Sequence, residues 1–254
     1  MSVEDTWPPR APAVGVWLIV VCVLVYAMVL VGGPTRLTDS PLGPIPEGWE
    51  AVTVGDVCKS IFSGGTPSTT ETTFWDGEIP WLSSGETRLS LIIDTERFIT
   101  SAGVAGSSTR SARRGSTVIA GAGQGHTRGQ TSLLMLDAYV NQSVVVLEAD
   151  LKKITDVFLY CDLERRYDYF RQISDGHSSR GSLTTKLLAG VETVLPSRPL
   201  VVRFDEITAP VFSRIECAQR QSRTLAQLRE LLLPKLLSGA LRVRDAERMI
   251  GDAA

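Results

Sequence analysis

The sequence contains few of the residues that build metal and redox sites. Only four cysteines and two histidines occur among its 254 residues. No Cys-x-x-Cys pair is present, and no histidine lies at metal-ligand spacing from a cysteine. These residues are scattered along the chain: Cys22, Cys58, Cys161, Cys217, His126 and His177. The pattern argues against a zinc site and predicts free thiols in a reducing compartment, with no resident metal or cofactor.

Motifs that mark enzymes are also missing. The glycine-rich segment Gly121–Gly129 is not followed by Gly-Lys-Ser/Thr, so it does not match the phosphate-binding loop of nucleotide hydrolases. No nucleophile elbow, paired-carboxylate spacing, nuclease motif or methyltransferase motif occurs elsewhere. The sequence therefore predicts a binding module and not an enzyme.

Acidic residues are absent from one long stretch, Arg97–Leu136, although the whole chain carries a net charge of −2. The same stretch contains five arginines: Arg97, Arg110, Arg113, Arg114 and Arg128. Such a stretch suits an anionic partner, of which nucleic acid is the obvious candidate. The alternative is a solvated face whose acidic partners come from other parts of the fold.

Charge of either sign is missing from Ala13–Gly33. About 20 apolar residues match the thickness of the bilayer hydrocarbon core, so this segment is a candidate transmembrane helix. The remainder is typical of a cytoplasmic bacterial or archaeal protein. Two interpretations of residues 1–33 stay open: an anchor that holds the rest of the chain at the inner membrane, or an unrelated upstream start acquired by a truncated gene.

The order of elements predicts an α/β chain. Residues 34–47 form a proline-rich linker, and residues 48–199 form a compact mixed domain large enough for its own core. Short β-branched runs predict strands, and apolar spacing at 154–173 predicts one or two helices. The four strand predictions are Val52–Val54, Ser116–Ile119, Val144–Leu147 and Val191–Leu195.

One long, coiled-coil-like helix is predicted at 200–243, before a frayed tail at 244–254. Its apolar residues recur at intervals of three, four or seven and draw a stripe down one side. The stripe consists of Ile207, Val211, Ile215, Ala218, Leu225, Leu228, Leu232 and Leu236. This stripe either packs on the helix's own domain or pairs with a second helix as a spacer, and the length favours the second.

Four segments, taken in order, form a recognisable set. The first runs from Gly48-Trp49-Glu50 to Ser63-Gly64-Gly65-Thr66-Pro67-Ser68, and the second is Phe74-Trp75-Asp76-Gly77-Glu78-Ile79-Pro80-Trp81-Leu82-Ser83-Ser84-Gly85-Glu86. The third is the glycine-rich loop through Gln130, closed by Asn141-Gln142-Ser143. The fourth is the long helix ending in Leu233-Pro234-Lys235-Leu236-Leu237-Ser238-Gly239.

This set resembles the DNA-specificity subunit of type I restriction-modification systems over roughly residues 48–243. The resemblance implies a non-catalytic target-recognition domain that reads half of a split site on double-stranded DNA. It also implies a spacer helix that docks a methyltransferase subunit and, indirectly, a restriction subunit. The methyltransferase partner would bind S-adenosylmethionine and methylate adenine. This chain would have no cofactor of its own.

The chain departs from the family pattern in having one recognition domain and one long helix, where full-length members have two of each. It resembles a half-length form that would pair with a second copy through its helix. Two alternatives to a working subunit stay open. One is a membrane-anchored coiled-coil adaptor, and the other is a non-functional remnant of a truncated specificity gene.

The glycine-rich loop carries the predicted base-reading side chains. Glycines let the backbone approach a surface closely, and arginine and glutamine suit guanine and adenine edges in the major groove. The predicted readers are Gln124, His126, Thr127, Arg128 and Gln130. The alternative is a hairpin loop whose polar residues are only solvated.

Further arginines are predicted to contact phosphates, which gives affinity without sequence information. These are Arg110, Arg113 and Arg114, with Arg180 in the polar loop 174–182 as an additional contact. Their alternative is an exposed turn with incidental arginines. For Trp75 and Trp81, packing in the core is favoured over base stacking.

Overall fold

The computed structural model describes residues 45–123, 126–177 and 181–239. The chain divides into two units, Met1–Glu50 and Ala51–Ala254. The predicted transmembrane segment at 13–33 lies outside the described residues. Within the part that is described, no helix combines the length and apolar character needed to cross a bilayer.

The second unit is a mixed α/β domain (residues 51–197) followed by one long helix. The strands are β1 (Glu50–Thr53), β2 (Cys58–Ser63), β3 (Trp75–Leu82), β4 (Leu91–Ile92), β5 (Arg97–Ile99), β6 (Arg110–Ala112), β7 (Thr117–Ala120), β8 (Thr131–Leu134), β9 (Ala138–Val140), β10 (Val144–Ala149) and β11 (Glu192–Leu195). The α-helices are α1 (Val54–Val57), α2 (Ser101–Ala105), α3 (Asp156–Glu164), α4 (Tyr167–His177), α5 (Thr185–Ala189) and α6 (Arg198–Leu237). Short 3₁₀ turns occupy Thr72–Phe74 and Ser84–Arg88.

Two larger sheets form the α/β domain. One has five strands in the order β2-β10-β7-β8-β4, and the other has four in the order β5-β3-β9-β6. Neighbouring strands are antiparallel except for β4 with β8 and β3 with β9, which are parallel. A third, two-stranded sheet joins β1 to β11.

The five-stranded sheet is covered on both faces, which explains its continuous β-branched sequences. Alternate residues of a strand point to opposite faces. On one face Ile119, Val145 and Leu147 pack with residues of α3, α4 and α5. On the other face Val118, Val144 and Val146 pack with buried residues of the four-stranded sheet, namely Leu82, Ala112 and Val140. The domain is therefore layered as helices, five-stranded sheet and four-stranded sheet.

Threonine side chains cap the N-terminal ends of several helices. Thr155 Oγ1 accepts from Phe158 N at 3.3 Å at the start of α3, and Thr184 Oγ1 accepts from Leu187 N at 3.1 Å at the start of α5. A threonine oxygen at this position satisfies a backbone donor that lacks a helical partner. These caps fix where the helical layer starts against the sheet.

The long helix α6 docks on the α/β domain through apolar residues of its N-terminal half and through Arg223 in its C-terminal half, which pairs with Asp94 at 2.8 Å. Val201 is fully buried, Phe204 packs edge-on to Phe158, and Phe212 packs edge-on to Tyr160. These positions lie three and eight residues apart, about one and two turns, and so share one face of the helix. At about 1.5 Å per residue the helix is roughly 60 Å long, of which roughly 20 Å follows Arg223.

The predicted apolar stripe lies on another side of α6. Ile207, Ile215 and Leu225 are 51%, 38% and 65% exposed. Ile207 and Leu225 are rotated by roughly 100° from the docked face, at 3.6 residues per turn, whereas Ile215 lies roughly 30° from it. The aromatic contacts with the domain come from Phe204 and Phe212, which are outside the stripe, while Val211 of the stripe is half-buried. Pairing of the stripe with a second helix stays a prediction.

All four predicted strands are confirmed as β1, β7, β10 and β11, with ends shifted by one or two residues. The predicted strand at Val52–Val54 ends one residue early, because Thr53 caps the short helix α1 that begins at Val54. The predicted helical segment at 154–173 is confirmed as α3 and α4. The long helix, predicted at 200–243, begins two residues earlier, at Arg198, and ends six residues earlier, at Leu237, where Ser238 caps it.

Candidate nucleic-acid interface

The glycine-rich loop joins β7 to β8 in the five-stranded sheet. Ile119 pairs with Thr131 across the hairpin. At its returning end Gly129 takes a positive φ of 88°, and its N–H donates to Ala120 O at 2.9 Å. Gln130 N donates to Thr127 O at 3.0 Å. The backbone at 126–130 is thus held to the sheet. The predicted reader Gln124 lies outside the described residues.

An open cleft of about 330 Å³ lies beside this loop. Three separate segments line it: the 3₁₀ turn at Ser84–Arg88 and the residues after it, the returning end of the glycine-rich loop, and the junction between α3 and α4. Its lining residues are Thr87, Arg88, Ser90, His126, Gln130, Thr131, Glu164 and Tyr167. Donors and acceptors that directly follow the second family-like segment therefore meet those of the third at one surface.

Hydrogen bonds join the walls of the cleft. Ser132 Oγ donates to Thr87 O at 3.0 Å, which ties the 3₁₀ turn to β8. Tyr167 Oη donates to His126 O at 2.8 Å, which ties the loop to the start of α4. Because both contacts span distant parts of the sequence, the side chains at 88, 126 and 130 stand on a fixed frame.

A buried carboxylate organises the 3₁₀ turn. Glu86 is 4% exposed, and its Oε1 accepts from Ser83 N at 2.9 Å and Ser83 Oγ at 3.1 Å. Its Oε2 accepts from Glu96 N at 2.8 Å. Burial raises the pKa of Glu86 above its ordinary value, against the lowering effect of these donors. The carboxylate thus couples the turn to the chain segment that precedes β5.

The predicted reader Arg128 is placed inside the protein. Its side chain is 8% exposed and forms an ion pair with Asp175 of α4. A Cβ on Gly181 would overlap the Arg128 guanidinium, so the chain passes directly over it. The structure brings His126 and Gln130 to the cleft but turns Arg128 away from it. A contact between Arg128 and DNA stays a prediction.

Arg113 and Arg114 both have partners within the protein. Arg113 makes a two-pronged ion pair with Asp156, with Nη–Oδ distances of 2.6 and 2.8 Å. Arg114 makes a similar pair with Glu216 of α6. Hydrogen bonding to these carboxylates raises the pKa of each arginine above its ordinary value. The acidic partners come from elsewhere in the fold, as the alternative interpretation of this stretch expected, and the predicted phosphate contacts stay predictions.

The remaining predicted residues divide into three groups. Arg110 is exposed, with its guanidinium 4.0 Å from the centre of the Phe62 ring. Thr127 is half-buried at the base of the loop. Arg180 lies outside the described residues. The structure therefore does not gather the predicted set into one surface.

The two tryptophans are core residues, as predicted. Trp75 and Trp81 are 8% and 3% exposed and meet edge-on, with ring centres 5.2 Å apart. Their indole N–H groups donate to Ser68 O at 3.0 Å and Gly65 O at 3.3 Å. The first two family-like segments thus bind each other. The guanidinium of Arg97 lies 3.6 Å from the centre of the Trp75 ring.

Sequence reasoning missed Arg88 and Tyr167 as lining residues of the cleft. Arg88 follows the second family-like segment, and Tyr167 begins α4, 37 residues after Gln130 by numbering. No local pattern links them to the loop, since contacts between distant segments bring them together. Among the described residues, no group of three or more His, Cys, Asp or Glu side chains is arranged to hold a metal ion.

The layered α/β domain that carries the polar cleft matches a known class of DNA-specificity domain. Residues 46–197 match the family model of the type I restriction modification DNA specificity domain. This match covers more than half of the chain, so the chain belongs to that family.

Among curated relatives, the chain is 23% identical over 205 residues to the specificity subunit of the type I restriction enzyme MjaIX of Methanocaldococcus jannaschii. The match covers 79% of this chain and 46% of that protein, so the chain spans about half the length of this relative. A stretch of 50 residues is 54% identical to heme A synthase of Rhodopseudomonas palustris, over 20% of this chain and 13% of that protein.

Solved structures show the same fold. The S subunit of a type I restriction-modification system from M. genitalium superposes with a TM-score of 0.56 at 17% identity, over 75% of this chain and 46% of that chain. A structure describing complex assembly and conformational transition of the type I system gives a TM-score of 0.52 at 21% identity, over 83% and 49% of the two chains.

Proposed function

We propose that this chain is the DNA-recognition subunit of a type I restriction-modification system and reads one half of a split target. The observation that carries the proposal is the meeting of the glycine-rich loop with residues that follow the second family-like segment at one open cleft. The Ser84–Arg88 turn and the glycine-rich loop present side-chain donors and acceptors there, on a frame held by the Ser132–Thr87 and Tyr167–His126 hydrogen bonds. Fixed polar groups at an open surface are what direct readout of base edges requires.

In this role the chain acts without catalysing a reaction. A methyltransferase subunit, which would bind S-adenosylmethionine and methylate adenine, is the proposed partner, and a restriction subunit joins through it. Membership of the specificity family supports this division of labour. A related structure concerned with assembly of the type I system has the same fold as most of this chain.

A second copy of this chain is the proposed occupant of the apolar stripe on α6. Ile207 and Leu225 are 51% and 65% exposed, on a side of α6 rotated by roughly 100° from the docked face. In two copies paired antiparallel along this stripe, each helix would cover the stripe of the other. Two-fold symmetry would then place two identical recognition domains at the ends and make the target a palindrome of equal half-sites.

The test is binding of the full chain, with its methyltransferase partner, to random DNA duplexes followed by sequencing of the bound fraction. We expect a two-part target with identical halves. The logarithm of the binding constant should fall linearly with the logarithm of salt concentration, because phosphate contacts release counterions. Binding without sequence preference, or no binding with the partner present, would contradict the proposal. A target with unequal halves would contradict only the symmetric pairing.

A further inference from the structure

Arg88 is the one arginine that lines the cleft, in the part of the chain that the structure describes. It ends the 3₁₀ turn Ser84–Arg88, and its side chain is 62% exposed. Its Nη2 donates to Glu96 Oε1 at 2.7 Å, and the Glu96 side chain is equally exposed. The guanidinium therefore stands at the surface beside Gln130 and His126, which line the same cleft.

The pair with Glu96 leaves Arg88 available to DNA. An ion pair between exposed side chains contributes about 0–1 kcal/mol, so its loss costs little when a stronger acceptor arrives. Arg128 contrasts with it, because that guanidinium is 8% exposed and lies under Gly181. Bringing Arg128 to a base would require the overlying chain to move, whereas Arg88 needs only a rotation of its own side chain.

The same buried carboxylate positions Arg88 and its partner. Glu86 binds Ser83 at the start of the 3₁₀ turn and the backbone N–H of Glu96 across from it. Thr87 is held on both sides, since its Oγ1 donates to Ser84 O at 2.8 Å and its carbonyl accepts from Ser132. The Cα of Arg88 is thus fixed, and Glu96 holds its guanidinium before DNA binds.

We propose that Arg88 is a specificity-determining residue of the recognition site and reads a guanine of the half-site, in place of Arg128. The planar guanidinium donates two parallel hydrogen bonds, which match the O6 and N7 acceptors of guanine in the major groove. Glu96 orients the guanidinium before DNA binds, and the guanine then replaces Glu96 as its hydrogen-bond acceptor. This inference rests on the proposed DNA-recognition function and names which arginine performs the reading.

The experiment compares sequence selection from random duplexes by the full chain and three variants, each with the methyltransferase partner. We expect the unmodified chain to require guanine at one position of the half-site. Arg88→Ala should lower that preference by about tenfold to one-hundredfold, and affinity for duplexes lacking the guanine should change little. Arg88→Lys should also lose the preference, because an ammonium group cannot form the two parallel bonds.

Arg203→Ala provides the matched control, since Arg203 is 70% exposed and paired with Glu206 on α6, away from the cleft. It should leave the preference unchanged. If Arg88→Ala weakened binding to all sequences equally, the inference would be overturned in favour of a phosphate contact. An unchanged preference for guanine would also overturn it. Loss of sequence-selective binding by the unmodified chain would instead contradict the proposed function.

Discussion

Arg114 and Glu216 join the α/β domain to the long helix through two hydrogen bonds, with Nη–Oε distances of 2.6 and 3.1 Å. Arg114 also donates to Met135 O, and Glu216 accepts a further bond from Arg220 on its own helix. The Glu216 side chain is 14% exposed and that of Arg114 is 52% exposed. The pair therefore lies at the edge of the docking contact, next to the Phe212–Tyr160 packing.

We expect Arg114 and Glu216 to be energetically coupled. In a double-mutant cycle of Arg114→Ala and Glu216→Ala, the coupling in the free energy of unfolding should be about 1 kcal/mol, because half-exposure of the arginine screens the attraction. Urea denaturation measures it. The exposed pair Arg203–Glu206 is the control and should couple by less than about 0.5 kcal/mol. Equal coupling in the two cycles would show that the contact with the domain adds nothing.

The same pair predicts a loss of stability in acid. Hydrogen bonds from Arg114 hold the pKa of Glu216 at about 2, below its ordinary 4.5. Since the folded form binds this proton more weakly than the unfolded form, the stabilisation is complete above pH 4.5 and is lost as the pH falls toward 2.

The measurement is the free energy of unfolding of the unmodified chain and Glu216→Gln as a function of pH. The difference between them should be constant above pH 4.5 and should shrink below it. In Arg114→Ala the pKa of Glu216 should move upward, which NMR titration of the carboxyl carbon detects. A difference between the two proteins that stays constant down to pH 2 would contradict the assignment.

Asp162 is the centre of a buried network that should matter for stability alone. Its side chain is 8% exposed and accepts from Arg166 at 2.7 and 2.8 Å and from Thr193 Oγ1 at 2.9 Å. Asp162→Ala would leave the nearly buried Arg166 without its carboxylate, at a cost of about 3 kcal/mol or more. Asp168→Ala, at an exposed position of α4, should cost less than about 1 kcal/mol. DNA preference should not change in either variant, and a changed preference would implicate the network in recognition.

Sequence patterns predicted the strands whose residue types match the burial of their own positions. Strands β7 and β10 are β-branched because both faces are covered. Strand β3 was missed because Asp76 takes a positive φ of 58° and Gly77 and Pro80 interrupt the run. Its central position depends on pairing with β5 and β9, which no local pattern encodes.

The candidate site was less predictable because the carboxylates that pair with its arginines lie far away in the sequence. The acid-free stretch suggested free arginines, yet Arg113 pairs with Asp156, 43 positions away, and Arg114 pairs with Glu216, 102 positions away. Periodicity predicted a stripe on α6 of which Ile207 and Leu225 are exposed, but it missed the docked face. That face combines two phenylalanines with polar residues such as Glu216, and so has no uniform apolar repeat.

The exposed stripe yields a prediction about assembly. Leu225 lies on the stripe and Leu231 does not, and they are rotated by roughly 120° from each other around α6. Their exposed fractions are similar, at 65% and 57%, so aspartate substitutions at the two positions perturb the isolated helix alike. In a pair of helices, however, Leu225→Asp would place a charge in the apolar seam, which costs several kcal/mol. Sedimentation at matched concentrations should show a dimer for the unmodified chain and Leu231→Asp, and a monomer for Leu225→Asp. A monomeric unmodified chain, or equal dissociation of both variants, would place the partner of the helix elsewhere.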